Sequence, residues 1–231
     1  MKQDILKEIR YGSRNSRFLI IFAGFMFFAL LTPVMLKLIL PAILQSQMPG
    51  LTEELLDAIV ERTQTGSIRS YMGDVFEAGS IIVAFSLCGL IAQEIRDHTL
   101  IMPLCSGKRL GSMIGAKLLV FGLALIVAPL VALLITYAYS GMIFSFEIGI
   151  RPILRGGFLQ GLYMVFLLSC LILWGAIIKK PIAAGFLSLG TVFGLQFAGD
   201  ALSIAQYLPT GLLNEAQMLS EKPGDGLPAG I

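Results

Sequence analysis

Apolar and polar positions fall into long blocks along this chain. After Arg17 the run from Phe18 to Leu36 carries no charge, and about twenty such residues cross a hydrocarbon core. Apolar blocks at 18–37, 75–93, 113–137, 158–178 and 181–199 predict five spans. The fold class this implies is all-α, a polytopic membrane helix bundle. Pro33 and Pro41 are placed to bend the first helix as it leaves the bilayer, and Pro129 to kink the third.

The polar stretches have patterns of their own. Ile5, Leu6 and Ile9 recur at helical spacing beside Lys2, Lys7 and Arg10, which predicts an N-terminal interfacial helix over 2–11. A frayed polar tail is the alternative. In the first loop, 45–73, Thr52 is a fitting N-cap, with Glu53 and Glu54 at the positive end of the helix dipole. Leu51, Leu55, Leu56, Ile59 and Val60 then form one stripe, predicting an external surface helix over 52–62. Residues 139–157 read as a short loop containing Arg151 and Arg155, and Lys179-Lys180-Pro181 as a tight basic turn. Lys37 either snorkels to the interface at the end of the first span or acts as an intramembrane functional lysine. The segment Ala201–Leu219 has too many polar breaks for a confident span. Either the protein has five spans, or a sixth follows Ile231.

Composition agrees with the pattern: 56% of the 231 residues are hydrophobic and 14% charged, against about 25% charged in soluble proteins. The distribution of charge adds an orientation. The N-terminus, the 94–117 loop and the 179–180 turn together hold eleven Lys and Arg, whereas the opposite side holds five. Basic loops stay on the cytoplasmic side, so the N-terminus is expected there. MKQDILKEIR lacks the short apolar core of a removable signal peptide, and the first span is expected to act as the insertion signal. Cys88, Cys105 and Cys170 do not form a disulfide framework or a CxxC pair.

Several chemistries are missing. His98 is the single histidine, so HExxH is excluded, and there is no G-x-S-x-G. Ser106-Gly107-Lys108-Arg109 fails as a phosphate loop, because Met102 stands at the upstream Gly position and Arg109 at the Ser or Thr position. Gly224-Asp225-Gly226 lies in a polar tail without a second intramembrane Asp. The chain is therefore not read as an enzyme, and it implies no metal, cofactor or nucleic-acid partner of its own. Glu77 and Gln196 are the strongly polar candidates within spans, and no convincing inverted repeat supports an ion-coupled carrier.

What remains is the stretch EIRDHTLIMPLCSGKRLGSMIGAK, from Glu94 to Lys117. Its middle, Leu100-Ile101-Met102-Pro103-Leu104, is an apolar knuckle on a basic loop. The knuckle either docks a soluble partner or dips into the lipid interface. The stretch resembles the cytoplasmic loop of type-2 ABC transporter permeases, the membrane subunits of many exporters. That loop has a Glu ending the second span, a Gly-Thr-Leu-like element, a Leu/Pro-rich knuckle, a Ser-x-x-Arg-like segment and a Lys opening the third span. Here those positions read Glu94, Thr99-Leu100, Pro103-Leu104, Ser106 with Arg109, and Lys117, with His98 in place of the Gly. The interfacial N-terminal helix, the extended first external loop and Tyr207-Leu208-Pro209 are also similar to the family.

The resemblance implies a single permease domain over 1–231 with six spans in the family, a coupling helix in the loop 94–112, and a prokaryotic plasma-membrane location. It also implies a second permease copy, identical or related, and separate ABC ATP-binding subunits that carry ATP and Mg. Coupling to the ATPase then falls to Glu94, Thr99, Leu100, Ile101, Met102, Pro103, Leu104 and Arg109. Small-residue pairs at Gly111/Gly115, Gly157/Gly161 and Gly190/Gly194 would let helices approach closely. Helix packing is thus expected at Gly157, Gly161, Gly190 and Gly194. The competing reading is a membrane scaffold or sensor that docks a soluble protein through the 94–110 loop without transporting anything.

Overall fold

In a computed structural model, the residues described are 2–47, 63–99, 104–107, 109–146 and 148–202, with Leu208, Pro209, Gly211, Leu212 and Glu215. Among them the chain is all-helical, without a strand. A first helix, α1 (Lys2–Arg14), precedes five helices long and apolar enough to cross a membrane. These are α2 (Arg17–Leu44), α3 (Gln64–Arg96), α4 (Leu110–Phe144), α5 (Ile150–Ile178) and α6 (Pro181–Gly199). The expected external helix at 52–62 lies outside the described residues, as does most of the segment after Leu202.

The first four spans are longer than the apolar blocks, while the fifth coincides with its block at Pro181–Gly199, and two expected loops shrink. Residues 64–74 are the start of α3, not part of the first loop. Thr63 caps them, its side-chain oxygen accepting the Gly66 N–H at 3.0 Å. The expected loop at 139–157 reduces to 145–149, because α4 runs on to Phe144 and α5 begins at Ile150. Arg151 and Arg155 therefore sit, exposed, in the first two turns of α5. A polar knot holds this short connection. Gln64 donates from Nε2 to the Tyr137 carbonyl and accepts the Ile148 N–H, each at 3.2 Å. The Tyr137 hydroxyl donates to the Ile148 carbonyl at 2.9 Å.

Proline acts differently in the two helices that contain it mid-span. In α2, Pro33 is followed by a π-helical turn over Met35–Ile39, an adjustment that re-pairs backbone groups freed by a missing N–H. Lys37 sits in that turn, with Nζ 3.5 Å from the Ile143 carbonyl, so its charge meets the negative end of α4. In α4, Pro129 lies within one unbroken 35-residue helix.

Helix α4 packs against α2, α3 and α5, and α5 also packs against α3 and α6. Lipid is as apolar as these side chains, so close packing and polar ties, more than water exclusion, hold such helices together. Gly161 shows the closeness: a Cβ there would stand 2.8 Å from Ile126 Cα, and one at Gly157 3.3 Å from Leu130 Cα. The polar ties are single hydrogen bonds between neighbouring helices. Thr32 donates to Asp74 at 2.8 Å, the Ser80 and Tyr163 hydroxyls are bonded at 3.2 Å, and Trp174 Nε1 donates to Thr191 at 2.9 Å.

Gly190 and Gly194 are both exposed, and a Cβ at either would meet nothing within 4 Å. Within this chain, then, neither Gly190 nor Gly194 packs against another helix. The reason is their place on the helix. Helix α6 turns Ala184, Gly185, Ser188, Leu189 and Val192 toward the bundle. At 3.6 residues per turn, Gly190 and Gly194 fall on the opposite side. The close approach of α6 is made instead by Gly185, where a Cβ would stand 3.3 Å from Cys88 Cβ. Helix α1 lies across the end of the bundle where α2 and α4 begin, packed on both.

Candidate functional site

Two residues flanking the 94–112 loop meet beneath it. Glu94 lies in the last turn of α3 and Lys117 in the second turn of α4. Lys117 is buried, and its Nζ donates to Glu94 Oε1 at 2.9 Å and to Glu8 Oε2 at 2.9 Å. Glu8 is contributed by α1, where Asp4 and Glu8, one helical turn apart, share the buried face. Lys7 stands 4.0 Å from both Glu8 and Glu94, so two lysines balance two carboxylates. The Tyr11 ring lies between cations, with Lys117 Nζ 5.8 Å and the Arg17 guanidinium 4.9 Å from its centroid. Both distances suit cation–π attraction. Arg17 also donates from Nη2 to the Tyr11 hydroxyl at 3.2 Å.

One junction thus joins α1, α3 and α4. Removing one member of a buried ion pair costs about 3–5 kcal/mol, because the remaining charge is stranded. A cavity of about 70 Å3 adjoins it, walled by Ile91, Ile95, Met113 and Ile114 together with Glu94 and Lys117.

The loop leaves α3 through a defined cap. His98 adopts φ +54, the left-handed region. The Thr99 N–H donates to the Glu94 carbonyl at 3.1 Å and the His98 N–H to the Ile95 carbonyl at 3.3 Å. This six-to-one and five-to-two pairing is a Schellman motif, with His98 in the position glycine usually fills. The Thr99 hydroxyl adds a second bond to the Glu94 carbonyl at 3.2 Å. Glu94 therefore fixes the loop with its backbone and Lys117 with its side chain.

Among the remaining loop residues, Leu104 is exposed, and Gly107 at φ +82 closes a turn onto the Leu104 carbonyl at 3.0 Å. Arg109 is exposed, extended, and immediately precedes α4. Leu100, Ile101, Met102 and Pro103 lie outside the described residues. Of the small-residue pairs, Gly157 and Gly161 lie against α4. Gly111 and Gly115, like Gly190 and Gly194, have nothing within 4 Å beyond their own helical backbone.

Glu8, Lys7 and Tyr11 were not among the site residues expected from sequence. A signal for Glu8 was present: in α1 the acids Asp4 and Glu8 share one face, while Lys7, Arg10 and Arg14 share another. An acid face on a helix beside a lone lysine in an apolar span is a pairing cue. Comparison with protein-family models, curated proteins and solved structures finds no match for this chain.

Proposed function

We propose that this chain is the membrane-spanning permease subunit of an ABC transporter, driven by ATP hydrolysed in a separate subunit. The observation that carries the reading is the Lys117 junction, with Nζ 2.9 Å from both Glu94 and Glu8. The two residues bracketing the loop in the family resemblance are the two that this junction joins. A force applied to the loop would pass through Glu94 and Lys117 into α3 and α4, and through Glu8 into α1.

In this mechanism the loop from Glu94 to Arg109 docks on the ATPase, with Leu100, Ile101, Met102, Pro103 and Leu104 supplying apolar surface. The exposure of Leu104 supports that role. Closure of the ATPase pair around ATP and Mg would displace the loops and rearrange the path between two permease copies. The excess of basic residues at the α1 end supports a cytoplasmic N-terminus in a prokaryotic plasma membrane. Helix α1 would lie in the interface of that leaflet.

Co-purification tests the assignment. Gentle extraction of the chain at native expression should bring down a Walker-motif ATPase in stoichiometric amount and a second permease copy. Recovery of a soluble partner without an ATPase fold would instead favour a scaffold or sensor.

A further inference from the structure

We infer that the outward flank of α1 binds the phosphate headgroups of anionic phospholipids. Helix α1 sorts its charges by direction. Asp4 and Glu8 are buried toward the bundle, while Lys7, Arg10 and Arg14 are exposed. These three bases, with Gln3, Tyr11 and Asn15, form one open flank along α1. Lys7 is shared with the junction carboxylates at 4.0 Å, whereas Arg10 and Arg14 pair with no carboxylate among the described residues. An anion approaching this flank meets positive charge with the carboxylates turned away.

Guanidinium forks and phosphate oxygens are matched in geometry as well as charge. Position then decides the occupant. Arg17 is the first residue of the span α2, and only Asn15 and Ser16 separate it from the end of α1. At about 3.3–3.6 Å per extended residue, two residues keep the Arg14 end of α1 at headgroup depth. Leu6 and Ile9, exposed beside the basic row, suit the acyl boundary just below. A membrane surface offers both chemistries together. The inference stands whether or not the chain is a permease.

The test uses the full chain in neutral detergent, with bound lipid counted by native mass spectrometry. Wild type should retain phosphatidylglycerol about tenfold more tightly than phosphatidylcholine, in line with the attraction of several basic residues to anionic lipid. Lys7→Gln/Arg10→Gln/Arg14→Gln should lose that preference. Arg151→Gln/Arg155→Gln, at the far end of the bundle, should keep it. The wild-type preference should also shrink as salt is raised, a check that needs no variant to fold. Equal retention of both lipids by wild type would overturn the inference and leave the flank to a protein partner. An unchanged preference in the triple variant, or its abolition by millimolar inorganic phosphate, would overturn it equally.

Discussion

Lys117 Nζ donates to Glu8 Oε2 across 2.9 Å, although 109 residues separate the two in the chain. The bond ties the N-terminal helix to the helix that follows the loop, and Glu94 completes it from the helix before the loop. Burial makes the arrangement unforgiving. The three charges must be present together or be absent together.

Lys117→Met is therefore expected to destabilise the protein by about 3–5 kcal/mol, since it strands two carboxylates. Glu8→Gln/Lys117→Met/Glu94→Gln, which removes all three charges, should recover much of the loss. Thermal unfolding of the purified chain in detergent measures both. If the triple variant is no more stable than Lys117→Met, the three residues do not act as one unit.

The cap at His98 gives a second expectation. Its φ of +54 is a conformation that β-branched residues resist and glycine accepts freely. His98→Gly should leave stability within about 1 kcal/mol of wild type, whereas His98→Val should weaken the end of α3 by about 1–2 kcal/mol. Hydrogen exchange at the Thr99 amide would report the loss directly. Equal protection in both variants would mean that the left-handed turn does not persist.

How much of this was legible in the sequence varies with the physics of each feature. The five spans were visible because lipid demands long uncharged runs, such as Phe18–Leu36. Most of their ends were not, although the Lys179-Lys180 turn marked the end of α5 and the start of α6. Gln64–Asp74 is polar and glycine-containing, and it is helical because Thr63 caps it and Gln64 is held by Tyr137 and Ile148. Arg151 and Arg155 looked like loop residues, yet exposed arginines fit the polar start of α5. Glycine spacing alone does not say which glycines pack within the chain. Gly190 and Gly194 share the spacing of Gly157 and Gly161, but a span that is apolar all round does not announce which face is buried. Glu94 and Lys117 stood out by position, and their joining across the base of the loop follows from two helices packed antiparallel. Glu8 shows in the sequence only as part of an acid face with Asp4 on α1; that its partner is Lys117, 109 residues on, no local periodicity announces.

Close approach of α4 and α5 makes Gly161 a sensitive position. A Cβ there would press 2.8 Å from Ile126 Cα, a backbone atom that cannot rotate away. Gly161→Val should cost about 1–3 kcal/mol of stability. Gly190→Ala and Gly194→Ala, where nothing lies within 4 Å, should cost little. Unfolding of the three variants side by side decides it. If Gly161→Val is as stable as wild type, the helices are not packed as closely as described.

Orientation is open to a direct check by labelling from outside intact cells. Thr63→Cys, before α3, should react with an impermeant thiol reagent, and Ser106→Cys, in the 94–112 loop, should react only after the membrane is opened. Cys105 neighbours that position and is exposed, so it must first be replaced by Ser. The reverse pattern would place the loop outside the cell and remove it from any ATPase.

The central claim is that the 94–112 loop couples this chain to an ATPase, and substrate-stimulated ATP hydrolysis in reconstituted vesicles tests it most directly. Leu100→Asp/Leu104→Asp should abolish the stimulation or release the ATPase subunit, with membrane insertion and thermal stability unchanged. Stimulation and ATPase retention at the wild-type level in that double variant would contradict the account.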